Sequence, residues 1–261
     1  MDLKILELTN LILSSIDTIY TFILLFSRYA GFFLVVPGIG GMVGMSLRIP
    51  ATILMAIAST KVSLKAVFPE SIGVMAADIG FEFLMGMIIG FIPLMIVSGA
   101  ALATQLASNM MGLNASNIID PASGNAVGAL TKIIEELMIL VFLIVGGHYV
   151  LIEIVAGVDS EIAPGVFRLD ESILEFLVKR VGHIFEAGVI LSVPVVVSLL
   201  LTQFVMGLIS KAVPSINIFI ISFPITIGIG LILISMSLPE MAKIITDEFN
   251  SIGTFFPMLN S

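Results

Sequence analysis

Few residues of this chain could do chemistry, and most of those that could stand in or beside apolar runs. Arg28 interrupts an apolar window, where a buried cation is costly. It could face a polar channel, meet an acidic partner, or snorkel out of a shifted helix. Asp78 and Glu82 lie four residues apart, on one helix face near the entry to another apolar window, and interfacial hydration accounts for them. His148, in the tetrapeptide GGHY with Glu153 five residues on, could begin a proton relay. Such a path needs further carboxylates, which its window lacks, so a histidine at a helix end bonded to a neighbouring subunit is the better reading. The richest segment is 105–124, QLASNMMGLNASNIIDPASG, which interleaves Asn109, Asn114, Ser116, Asn117, Asp120 and Ser123 with Met110, Met111, Leu113, Ile118 and Ile119. Non-helical backbone persists at membrane depth only where protein or water satisfies its polar groups. A loop lining or blocking a water-filled passage meets that condition, with Gly112 and Gly124 as hinges and methionines closing around irregular contents; an ordinary exposed loop is the alternative.

Enzyme signatures are missing. The sequence has no phosphate loop with its Lys-Ser/Thr pair, no GxSxG elbow, no HExxH and no dinucleotide fingerprint after a strand. Residues 38–44, GIGGMVG, resemble a phosphate loop only superficially and read as a turn. Zero cysteines remove thiolate metal sites and cysteine nucleophiles, two histidines make a histidine-built metal site improbable, and no cofactor is expected. A formal charge of −8 with no basic cluster argues against nucleic acid, whose phosphates demand a basic patch.

The elements that must position these residues are set by composition. The chain of 261 residues is 58% hydrophobic and 11% charged, against roughly 25% charged for a soluble domain, so its main solvent is lipid or other apolar protein. A hydrocarbon core of ~30 Å takes about 20 helical residues. Six windows approach that size: 16–36, 49–68, 81–111, 133–152, 187–210 and 216–238. The expectation is therefore an all-α, polytopic helical membrane protein of about six hydrophobic segments, some broken or hairpin-like, forming a single domain over 1–261. In the third window 37 uncharged residues separate Glu82 from Asp120, about 55 Å as one helix, which predicts a kink near Pro93 and an end near Gly112. Gly86 and Gly90, then Gly99, Ala103 and Ala107, recur at four-residue spacing and offer stripes for close helix packing. The polar stretch 153–186 should leave the hydrocarbon. Its second half places Ile173, Phe176, Leu177 and Val181 at helical spacing, as an amphipathic helix continuing into the fifth window. The first fifteen residues lack a basic region and a small-residue cleavage site, so no signal peptide is expected there. For six spans, seven Lys and Arg fall on one side against three on the other, which favours cytoplasmic termini.

In this order the pieces resemble the FliR family of bacterial type III export-gate subunits, whose virulence-system relatives are called SctT. They are Pro37 and Arg48; Glu82, Gly86 and Gly90; Gly112-Leu113 and Asp120-Pro121; Gly147-His148; Pro164-Gly165; Pro194; and Pro214, Asn217, Phe219 and Pro224. The chain departs from the family pattern with Lys211 for arginine, Ser215 for glutamine, and Asp159-Ser160 for a serine followed by an aromatic. Lysine cannot reproduce the bidentate fork of arginine. The resemblance implies a non-enzymatic inner-membrane subunit at the flagellar basal body, assembling with FliP-like and FliQ-like subunits, with an FlhB-like subunit near the entrance, and passing unfolded flagellar proteins. It implies a pore plug formed by Asn109, Met110, Met111, Gly112, Leu113, Asn114, Ala115, Ser116, Asn117, Ile118, Asp120 and Pro121. It also implies steeply inclined helices, with subunit packing through Gly86, Gly90, Arg28, Arg48, His148, Lys211, Pro214 and Asn217. A different class, a secondary transporter of small solutes with helices broken around Pro93 and Pro194, is the alternative.

Overall fold

The computed structural model describes residues 2–37, 45–69, 71–113, 128–158, 163–169, 171–213 and 218–252. Among the described residues there are seven helices: α1 (Asp2–Val35), α2 (Met45–Thr60), α3 (Ile72–Met111), α4 (Ala129–Ile144), α5 (Gly147–Ala156), α6 (Glu171–Ala212) and α7 (Ile218–Ile252). The chain is an all-α polytopic membrane protein. α1, α3, α6 and α7 are long and apolar enough to cross a membrane, and the bent pair α4 and α5 makes a fifth span if counted as one. The second window contributes only the 16-residue α2. Its remainder leaves the helix after Thr60, where the backbone turns at Lys61 and Val62.

The transporter alternative expects helices broken at two prolines, and neither helix is interrupted there. α3 runs as one 40-residue helix through Pro93, and α6 as one 42-residue helix through Pro194. At 1.5 Å per residue each is about 60 Å long, twice the hydrocarbon thickness. Unbroken passage through both prolines removes the feature on which a broken-helix transporter would rest. The fourth window does bend, by 68° between α4 and α5. Gly146 makes the corner with a left-handed φ of +83°, which a side chain would strain by about 1–2 kcal/mol. The amphipathic segment at 171–185 continues into the fifth window as one helix, with Ile173 buried.

The chain divides into two compact units, residues 1–94 with 143–177 and 249–261, and residues 95–142 with 178–248. In the first, α1 lies against α2 and α5 over a core that includes Leu24, Leu25, Phe32, Met85, Ile89 and Leu151. α1 and α3 approach backbone to backbone: a Cβ on Gly86 would fall on the Arg28 carbonyl, and one on Gly90 would sit 2.8 Å from the Phe32 carbonyl oxygen. In the second, Gly99 and Gly188 play the same part between α3 and α6, and Ala103 and Ala107 are buried further along α3. The Gly86 and Gly90 stripe, expected to serve packing between subunits, is thus used within the chain.

Candidate functional site

Two arrangements stand out, one in each unit. The first grows from the i, i+4 pair Asp78 and Glu82 on α3, which bury both carboxylates. The Arg28 Nε–H donates to Glu82 Oε2, its Nη1–H donates to the Val155 carbonyl at 3.4 Å, and the Gly165 N–H donates to Glu82 Oε1 at 2.8 Å. One turn earlier, Tyr20 Oη donates to Asp78 Oδ2 and Arg168 Nη2 to Asp78 Oδ1, both at 2.7 Å. Arg168 also lies 5.2 Å from the centre of the Phe81 ring. A lone ion in a low-dielectric interior carries a desolvation penalty of several kcal/mol. Here each charge meets its opposite, and both oxygens of each carboxylate accept hydrogen bonds.

Arg28 therefore neither lines a channel nor snorkels. It is fully buried and paired inside its own chain. Asp78 and Glu82 are not hydrated interfacial groups; 6% and 1% exposed, they tie α1 and the 163–169 turn to α3, and Arg28 extends the network to α5. The partners Gly165 and Arg168 are not singled out from sequence as a structural group, although Arg168, the first of two arginines in the polar stretch, and two carboxylates on one α3 face are the trace they leave.

The second arrangement is the end of α3. Met111 is buried and Gly112 turns the chain with φ +77°. The predicted end at Gly112 is where the helix stops. A Cβ on Gly112 would lie 2.9 Å from the Phe223 ring. The Met111 side chain packs closely on Gly230, where an added Cβ would require it to shift, and Gln203 Nε2 donates to the Met110 carbonyl at 2.7 Å. Gln203, Phe223 and Gly230 thus fix the root of the polar loop from α6 and α7. Asn109, Met110 and Leu113 complete the root. Asn114, Ala115, Ser116, Asn117, Ile118, Asp120 and Pro121 lie outside the described residues.

Other predicted residues are scattered. Arg48 is half-buried in the first turn of α2, where its carbonyl accepts Thr52 Oγ1 at 2.8 Å. His148 opens α5, its ring 4.0 Å from that of Tyr149, and Glu153 is exposed. Lys211 is exposed in the last turn of α6, favourably placed at the negative end of the helix dipole. Pro214 and Asn217 fall outside the described residues. Among the described residues no group of three or more His, Asp or Glu is placed to hold a metal.

Both arrangements lie within a match to the family described as bacterial export proteins, family 1, over residues 19–252. The chain belongs to this family, the FliR family. Its relatives include the flagellar biosynthetic protein FliR of Escherichia coli strain K12, 28% identical over 171 residues that cover 66% of each chain. That of Bacillus subtilis strain 168 is 25% identical over 65% of this chain and 66% of its own. That of Caulobacter vibrioides is 23% identical over 91% of this chain and 96% of its own. The match thus spans just under two thirds of the Escherichia coli and Bacillus subtilis proteins and nearly all of the Caulobacter one. The FliR-family region takes in both members of the Arg28–Glu82 pair and the whole root of the loop after α3.

Proposed function

We propose that this FliR-family chain acts as a single non-enzymatic subunit of the flagellar type III export gate, in the bacterial inner membrane at the flagellar basal body. It assembles there with FliP-like and FliQ-like subunits beside an FlhB-like subunit. Its polar loop, rooted at Asn109–Leu113 and continuing through Asp120-Pro121, plugs the pore until an unfolded flagellar protein enters. Family membership supports the assignment. The observation that carries the mechanism is the root itself: three side-chain contacts hold the end of α3 directly before a loop rich in Asn and Ser. A plug needs a fixed base and an adaptable tip: Met110 and Met111 stand in the base, where the unbranched thioether of Met111 fills the gap beside Gly230, and the Asn- and Ser-bearing segment after Leu113 supplies the tip.

Two measurements test this. Tagged protein extracted in mild detergent brings down FliP-like and FliQ-like subunits, and recovery as a lone stable monomer contradicts the assembly. Removing residues 115–118, which leaves the α3 root intact, makes the assembled gate leak small ions. An unchanged ion leak in a gate of normal subunit composition removes the plug assignment while leaving the assembly standing.

A further inference from the structure

The segment after α2, residues 61–68, is seated firmly and yet faces outward with a mixed character. Its inner side is fixed to α1. The Ala66 N–H donates to Thr21 Oγ1 at 2.9 Å and the Phe68 N–H to Asp17 Oδ1 at 3.0 Å. Ala66 is buried against Tyr20 and Leu24, and the Phe68 ring meets Tyr20 edge-on at 5.5 Å. Its outer side carries Val62, Leu64, Val67 and Phe68, between 47% and 82% exposed, together with the exposed Lys61 and Lys65. No acidic residue stands between Lys61 and Pro69, and Glu70 follows.

Position supplies the rest. Asp17, Tyr20 and Thr21, which hold the segment, belong to the first two turns of the apolar window 16–36, and Lys61 and Lys65 stand near the end of the apolar window 49–68. The segment therefore lies at the end of a membrane-spanning stretch, level with the boundary between hydrocarbon and headgroups. Apolar side chains held rigidly there enter the acyl region without an ordering cost, while lysines extend toward phosphate. The four apolar side chains suit any lipid. The two lysines, in a chain whose formal charge is −8, select an anionic one.

We propose that residues 61–68 form a binding element for anionic phospholipid, with Val62, Leu64 and Val67 in the acyl region and Lys61 and Lys65 on the headgroup phosphate. An anionic surface attracts each nearby cation by about 1 kcal/mol, which is roughly a fivefold preference per lysine.

The chain has no cysteine, so a single thiol can be placed without background. Val67→Cys in the full-length protein, labelled with bimane and reconstituted in nanodiscs, is titrated with brominated phosphatidylglycerol or brominated phosphatidylcholine. Both lipids quench, and the relative association constant favours phosphatidylglycerol by about fivefold or more. Adding Lys61→Gln and Lys65→Gln brings that ratio to about one, with helix content by circular dichroism unchanged. Equal association of both lipids with the unsubstituted lysines overturns the proposal, as does a preference that survives the double substitution. Absence of quenching at Val67, checked with the same label on Leu64→Cys, also overturns it. So does quenching that disappears once neighbouring gate subunits are bound, because protein then covers the segment.

Discussion

At the scale of single residues, the Arg28–Glu82 pair decides how the first unit is held. Both side chains are essentially without solvent, and the pair joins residues 54 positions apart. Removing one partner of such a pair leaves a buried charge uncompensated, which typically costs about 3–5 kcal/mol, whereas replacing both by apolar groups is often neutral. Glu82→Gln should therefore lower the unfolding free energy in detergent by about 3–5 kcal/mol, since the amide still accepts from Gly165 but no longer balances the guanidinium. Arg28→Met combined with Glu82→Leu should recover more than half of that loss. A Glu82→Gln protein within about 1 kcal/mol of the parent would mean that the guanidinium finds other compensation, and the lock would lose its meaning. The pair also marks where sequence reading stopped. Arg28 was conspicuous because a cation inside an apolar window is expensive, but nothing local says which carboxylate answers it. Asp78 and Glu82, read alone, sit close enough to a window's end for water to be a sufficient partner.

At the scale of elements, the helices were legible because transfer into an apolar phase is a property of each residue summed along a window. The end of α3 was legible too, since Gly112 supplies a left-handed turn. Continuity through Pro93 and Pro194 follows the windows 81–111 and 187–210, against the broken helices of the transporter reading. A proline removes one hydrogen bond and crowds the preceding turn, a cost of about 3 kcal/mol that surrounding packing can absorb. The glycine stripes were visible as spacing without a partner, and the partner turned out to be α1 of the same chain for Gly86 and Gly90. This sets up a comparison inside one helix. A Cβ on Gly86 would collide with the Arg28 carbonyl, while one on Gly80 meets nothing within 4 Å. Gly80→Ala should stabilise the isolated protein by up to about 1 kcal/mol through helix propensity alone. Gly86→Ala must push α1 off α3, and it should lower the melting temperature and the monodisperse yield on size exclusion. Equal behaviour of the two alanine variants would show that the α1–α3 approach is not a constraint on the fold.

For the whole molecule, the unequal burial of its long helices matters most. Within the apolar windows, 61% of α3 is buried inside the chain and 50% of α1, but only 28% of α6 and 17% of α7. Phe204 is 65% exposed, Ile232 63% and Met236 72%. Soluble monomers rarely expose contiguous apolar surface on this scale, so these faces have lipid or protein as their solvent. Helices of 42 and 35 residues, about 50–60 Å long, cannot lie wholly within ~30 Å of hydrocarbon unless steeply tilted, so lipid alone covers them poorly. In the assembly proposed above, sister subunits would cover them better, as in obligate interfaces that resemble a divided core. Single cysteines at Phe204 and Ile232 distinguish the two coverings in a chain that has no thiol of its own. Labelled with a probe quenched by brominated lipid, both positions should be quenched in the lone subunit and shielded in the assembled gate. Persistent quenching at both in a complete assembly would leave α6 and α7 as lipid-facing helices, and the subunit would then have to join the gate through the better-buried α1 and α3.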